Sequence, residues 1–348
     1  MLHVQRTDGT IQAVGVNTWG QLGVGDREHR LSFTPVPGLT GVTALAGGTV
    51  HACALAGGGM KCWGGNQNGA VGAGSSPAQV TPIDVPGLTS GVEHITTGDY
   101  HSCGALATGG VWCWGWNHYA AVGDGTTGIM TVRAPTAVVG MGATERVTGL
   151  FAGYAHTCAI SPAGGALKCW GWNSHGQLGD GTVTTAPSAI AITALSAGVV
   201  EGGGGYRFSC VLMNTGKVMC FGENTHGQLG DGTNTHHNLP VEVLGLSDAV
   251  HVGVGDDGAC AVTAAGAVKC WGANERGTVG DGTFIDRNTA TQVLGLEAGV
   301  KTVTVDWRQA CAVLHDASVR CWGSNSDGVF GDGRMDHNIR PVTLMAAP

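Results

Sequence analysis

Short apolar stretches alternate with glycine- and asparagine-rich breaks along the whole chain, without the period of an amphipathic helix. The segment from Leu239 to Gly282 is representative, running LPVEVLGL, AVHVGVG, ACAVTAAG and AVKCWGANERGTVGDG in succession. Each stretch is short, β-branched and closed by a turn residue, which predicts four strands of one small antiparallel sheet.

The unit recurs. CWGWNSHGQLGDGT from Cys169 has relatives starting at Cys62, Cys113, Cys220, Cys270 and Cys321, with a degenerate copy, AVGVNTWGQLGVGD, from Ala13. The glycine after the aromatic position falls at Gly15, Gly64, Gly115, Gly171, Gly222, Gly272 and Gly323, a period of about 50 residues. Such a period marks a repeat architecture. Seven four-stranded units make an all-β, seven-bladed β-propeller, whose radial repetition leaves only short protected edges. The 348 residues are read as one domain, 1–348. The aromatic of each copy (Trp63, Trp114, Trp170, Phe221, Trp271, Trp322) is expected between neighbouring blades, and the GDG segments read as turns, not calcium loops. The inner stretch has only six copies, beginning near Val42, Val92, Val147, Val199, Val250 and Val300. The first hairpin is therefore expected to join the last P-V stretch, so that the termini meet in one closing blade, a strand short.

Twelve cysteines fall as Cys53/Cys62, Cys103/Cys113, Cys158/Cys169, Cys210/Cys220, Cys260/Cys270 and Cys311/Cys321. Each pair brackets a predicted hairpin, where residues equidistant from the turn face each other. In the first repeat Val4 and Ala13 are expected at the two cysteine positions, so both partners are lost together. Six disulfides follow, and with them an oxidising, extracellular or periplasmic location. Buried thiols are the alternative. A metal reading rests on His51, His101 and His156, each two residues before a cysteine, but the later copies have Phe208, Gly258 and Gln309 there.

The elements H-x-C-A-L and G-x-V-x-C-W-G-x-N-x-x-G-Q-L-G-D-G-T, followed by P-V-x-V and G-L, resemble the repeat of the regulator of chromosome condensation family over essentially the whole chain. The resemblance implies the seven-bladed propeller, and the paired cysteines look more like bacterial members of that superfamily than its nuclear exchange factor. A β-lactamase inhibitor of similar architecture grips its partner with the ring of loops at one channel mouth.

Where the copies disagree, function is expected. The most divergent window precedes the cysteine strand and reads GGTVHAC, GDYHSC, GYAHTC, GYRFSC, GDDGAC and DWRQAC. It contributes Asp99, Tyr100, Tyr154, Tyr206, Arg207, Asp256, Asp257, Asp306, Trp307 and Arg308, a mixture suited to recognition because Tyr, Trp and Arg dominate binding hot spots. A second divergent set, Trp116, His118, Tyr119, Trp172, His175 and His226, is read as ordinary loop residues.

Charge narrows the options. Only 12% of residues are charged and the net charge is −8, which disfavours a nucleic-acid binder. No apolar run reaches the roughly 20 residues of a membrane span, and MLHVQRTDGT does not resemble a secretory signal. No C-x-x-C or dinucleotide motif occurs, so neither metal nor cofactor is expected. The expectation is a monomeric module that binds a protein or a carbohydrate; the alternative is a lyase or hydrolase using His, Tyr and Asp at the channel mouth. Nucleotide exchange on a small GTPase is not expected, since no long wedge interrupts the repeats.

Overall fold

The computed structural model describes residues 1–74 and 77–345. Among these residues seven antiparallel sheets follow one another along the chain, six of four strands and one of three. Blade 2 shows the plan: inner strand Val42–Gly47, cysteine strand His51–Ala56, aromatic strand Gly59–Gly64 and outer strand Gln79–Asp84. Inner strands of successive blades touch around a hub. The sheets are seven-bladed propeller blades, as the period required.

The core lies between blades. Trp63, Trp114, Trp170, Trp271 and Trp322 are all buried, and each indole N–H donates to a carbonyl of the preceding blade: Gln21, Ala70, Ala121, Gln228 and Thr278. Trp271, for example, packs with Phe208, Leu212, Val218 and Leu229. Polar loop positions are equally committed. Asn173 accepts the Leu178 N–H and donates to Asp180, whose carboxylate also takes the Thr182 N–H. The GDG aspartate is spent on its own turn.

All six cysteine pairs are disulfides, with no free cysteine among the described residues. In each pair the two cysteines stand directly opposite in register, as Cys158 does to Cys169.

Two expectations about the ends need correction. Blade 1, made of Leu2–Gln5, Ile11–Gly15 and Arg30–Pro35, lacks the inner strand but does not recruit the C-terminal one. Asn338–Met345 instead completes blade 7 by pairing with Val319–Gly323. The reason is local: Gly323 meets Asn338 as Gly272 meets Arg287 and Gly222 meets His237, so the last repeat closes on itself. Leu2 and Val4 from the first strand and Val342 and Leu344 from the last described strand pack against the cluster of Cys321 and Phe330. Second, Ala13 faces His3 and not Val4. The turn between these strands is one residue longer than assumed, held by Arg6 N–H on the Thr10 carbonyl and by Asp8 on the Thr10 N–H.

Candidate functional site

The divergent windows take their position from the glycine after the buried aromatic. Gly115 has φ +113° and Gly272 +101°, a left-handed region that side chains rarely occupy. A Cβ on either would stand 2.5 Å from a window carbonyl, that of Tyr100 or of Asp257. With only hydrogen there, the same carbonyl accepts the next backbone N–H: Trp116 to Tyr100, Trp172 to Ala155, Glu223 to Arg207, Ala273 to Asp257, and Ser324 to Arg308, at 2.7–2.9 Å. The residue following the glycine is thereby clamped against the window, and the two divergent sets share one rim.

At the hub the windows open on a cavity of about 660 Å³ whose wall includes Asp99, Tyr154, Asp256, Asp306, Trp307 and Arg308. Asp257 lines a small adjoining recess with Trp307 and Arg308. Trp307 is 55% exposed, with the Arg308 guanidinium 3.4 Å above its ring. Tyr100, Tyr206 and Arg207 stand beside the opening in an aromatic sector. There Tyr154 contacts Tyr206, Tyr100, Trp116 and Trp172 at 4.5–6.2 Å between centroids. Tyr119 stacks on Trp172 at 4.8 Å, and Arg207 lies over both Tyr206 and Trp172. Edge and offset contacts of this kind fix ring orientation, so the sector is a rigid apolar platform with a cation at its border. Trp116, Tyr119 and Trp172, taken from sequence as loop residues, are central to it. His226 is not: it pairs with Asp286 at 2.8 Å.

The cavity wall also carries the carboxylates of Asp99, Asp256 and Asp306. Burial raises the Asp99 carboxyl to about 6, reinforced by the charge of Asp306 and opposed by a Thr49 hydrogen bond. Burial and then the charges of Asp99, Asp306 and Asp257 raise Asp256 to about 8. Burial also lifts Tyr154 to about 12, with neighbouring tyrosines and Asp99 adding to it. Among the described residues no three His, Cys, Asp or Glu side chains lie close enough to hold a metal ion.

Two models of the regulator of chromosome condensation (RCC1) repeat match the chain. One covers 58–105, 108–160 and 215–262; the other covers 92–120, 147–177, 199–228 and 249–278, together more than half of it. The chain belongs to the RCC1-repeat family. It is 30% identical over 234 residues to the ultraviolet-B receptor UVR8 of Arabidopsis thaliana, across 66% of this chain and 52% of that protein. It is 29% identical over 247 residues to a secretion-regulating guanine nucleotide exchange factor of Bos taurus, across 68% and 53%. The chain thus spans about half the length of these curated relatives. Prp20p from Saccharomyces cerevisiae superimposes with a TM-score of 0.82 at 18% identity, covering 97% of this chain and 86% of that one. Human WBSCR16 does so at 0.83 and 17%, covering 97% and 94%. At that identity the likeness is one of fold. These relatives are eukaryotic, so they lend no support to the bacterial affinity suggested by the cysteines.

In this RCC1-repeat propeller the three repeated histidines serve the scaffold. His51, His101 and His156 are fully or almost fully buried. Each Nε2 lies 2.8 Å from a hydroxyl of the next blade, respectively Ser102, Thr157 and Ser209. Those hydroxyls donate onward to the Ala70, Ala121 and Gln177 carbonyls, which leaves each Nε2–H as the donor to the hydroxyl oxygen. Burial holds the rings neutral, His51 at about 4 and His101 and His156 at about 3. They do not reach the mouth, so an acid–base site built on them has no access to substrate.

Proposed function

We propose that this RCC1-repeat propeller is a binding module that holds a protein partner on the hub rim. The carrying observation is convergence: Asp99, Tyr154, Asp256, Asp306, Trp307 and Arg308, from four different blades, line one opening. The adjoining aromatic platform with Arg207 has the composition of a hot-spot surface. The family supports a protein partner, since the Prp20p structure is described with binding to Gsp1p and histones and another shows the yeast protein with Kap60. Which protein this chain holds is set by rim residues that belong to its own copies. We also place the chain in an oxidising compartment, extracellular or periplasmic, on the strength of its six disulfides.

The test is capture from the source organism's extracellular proteins by the oxidised protein and by a Tyr100→Ala, Tyr206→Ala, Trp307→Ala variant. A partner retained by the first and lost by the second, at unchanged circular dichroism, supports the reading; equal capture by both defeats it. Thiol trapping in producing cells should label none of the twelve cysteines before reduction, and extensive labelling would refute the compartment.

A further inference from the structure

Resting on the protein-binding reading above, we propose that the aromatic platform seats a proline-rich, basic segment of the partner in the polyproline II conformation. All four tyrosines of the chain stand in this sector, joined by Trp116 and Trp172 across blades 3, 4 and 5. Trp116, Tyr119, Tyr154 and Tyr206 pack with Trp172 over Ala121 and Ala155 and remain partly open to solvent. Their polar atoms are idle. The five tryptophans between blades spend their indole N–H on a backbone carbonyl. The indole N–H groups of Trp116 and Trp172 and the four phenol O–H groups have no partner among the described residues, and none of the six is sealed from water. The nearby window carbonyls are already committed: Tyr100 accepts the Trp116 N–H, Ala155 the Trp172 N–H and Arg207 the Glu223 N–H.

The platform therefore offers ring faces and free donors, with few free acceptors. A proline-rich segment matches that surface. Its carbonyls accept, its imide nitrogens carry no N–H to be left unpaired, and its pyrrolidine rings pack on aromatic faces with the backbone extended before it binds. An ordinary extended strand brings N–H groups, and a sugar brings hydroxyls, that would have only the phenol oxygens to bond. Tyr100, Tyr154 and Tyr206 follow one another at 6.2 and 4.5 Å between centroids, the scale of one polyproline II turn of about 9 Å.

Charge completes the match. Burial, then the charge of Asp99, raises the Tyr100 phenol; burial, then neighbouring tyrosines and Asp99, raises Tyr154 to about 12. Both remain O–H donors. Asp99 and Asp256 both act on the Tyr100 phenol, and neither forms an ion pair among the described residues. Arg207 at the border is offset by Glu223 at 3.7 Å. A lysine or arginine beside the prolines is attracted here, and an acidic flank repelled.

The experiment is calorimetric titration of the oxidised protein with an acetylated peptide of two arginines and six prolines, about two helical turns. Its controls are the peptide with alanine for each proline, the peptide with two glutamates for the arginines, and cellohexaose. The parent peptide should bind saturably and the alanine peptide about tenfold or more weakly. The glutamate peptide should bind about threefold or more weakly, a gap that narrows in high salt. Tyr154→Ala should cost about tenfold or more. Tyr100→Phe and Tyr206→Phe keep the rings, and each should still cost about two- to tenfold, the worth of one hydrogen bond. No saturable binding, equal affinity for the alanine peptide, unchanged affinity in both phenylalanine variants, or tighter binding of cellohexaose overturns the proposal. If a partner is captured through Tyr100, Tyr206 and Trp307 but the prolyl peptide does not bind, the proline seat falls and the protein-binding reading stands.

Discussion

Within Gly153–Cys158 two residues separate the inside of the wheel from its mouth. His156 is sealed in the blade, neutral, and bonded to Ser209 of the next one. Tyr154 borders the cavity and touches four aromatic rings. The first position is one solution to a need every blade has, which is to join its neighbour. The second reads Thr49, Asp99, Tyr154, Tyr206, Asp256 and Trp307 in successive copies, a spread of side chains that the joint between blades does not constrain. Interior and rim should therefore respond to substitution in opposite currencies, stability for one and binding for the other.

That contrast is sharpest at the tryptophan seats. Trp170→Ala leaves a cavity between blades and removes the indole donor from the Ala121 carbonyl, and should cost about 3–5 kcal/mol in urea unfolding. A loss below 1 kcal/mol would mean that the blades are not held by these seats. Removing one disulfide, by Cys158→Ala with Cys169→Ala, should cost about 2–3 kcal/mol for a loop of this size, with binding unchanged. Trp307→Ala should do the reverse, reducing partner affinity by about 2 kcal/mol while the melting temperature holds. A parallel fall in both would merge the two regions.

Acid titration tests the interior side of the comparison. His51, His101 and His156 have depressed folded-state values. Their stabilisation is complete above the unfolded value of about 6.5 and is lost as pH falls towards 4 and then 3, at about 1.4 kcal/mol per pH unit for each ring. Asp99 and Asp256, with raised values, act in the opposite sense and lose stability as pH rises. The measurement is therefore made in an Asp99→Asn, Asp256→Asn background between pH 6.5 and 4.5. There His101→Phe with Thr157→Ala should flatten the slope by one ring's share. Blade 5 already carries this solution, with Phe208 buried at the histidine position.

That pairing was written in the chain. A hydroxyl occurs at Ser102, Thr157 and Ser209, in each case where the preceding copy has histidine; Ala259 follows Phe208, and Ala310 follows Gly258. Comparing adjacent copies at this offset would have identified the histidines as joints and not as ligands. The rim was half legible. Copy divergence picked out the windows, but Trp116 and Trp172 lie some fifteen residues further along, and only the close approach of the glycine to a window carbonyl brings them in.

Period, turn chemistry and facing cysteines depend on contacts within one hairpin or one repeat, and these can be read along the chain because the physics is short-range and repeated. Blade count, disulfide pattern and aromatic seats follow from it. The closing blade, the aromatic platform and the gathering of Asp99, Asp256 and Asp306 depend on which repeats become neighbours around a ring. Those distances are set by closure of the whole wheel, a long-range condition that no single repeat contains.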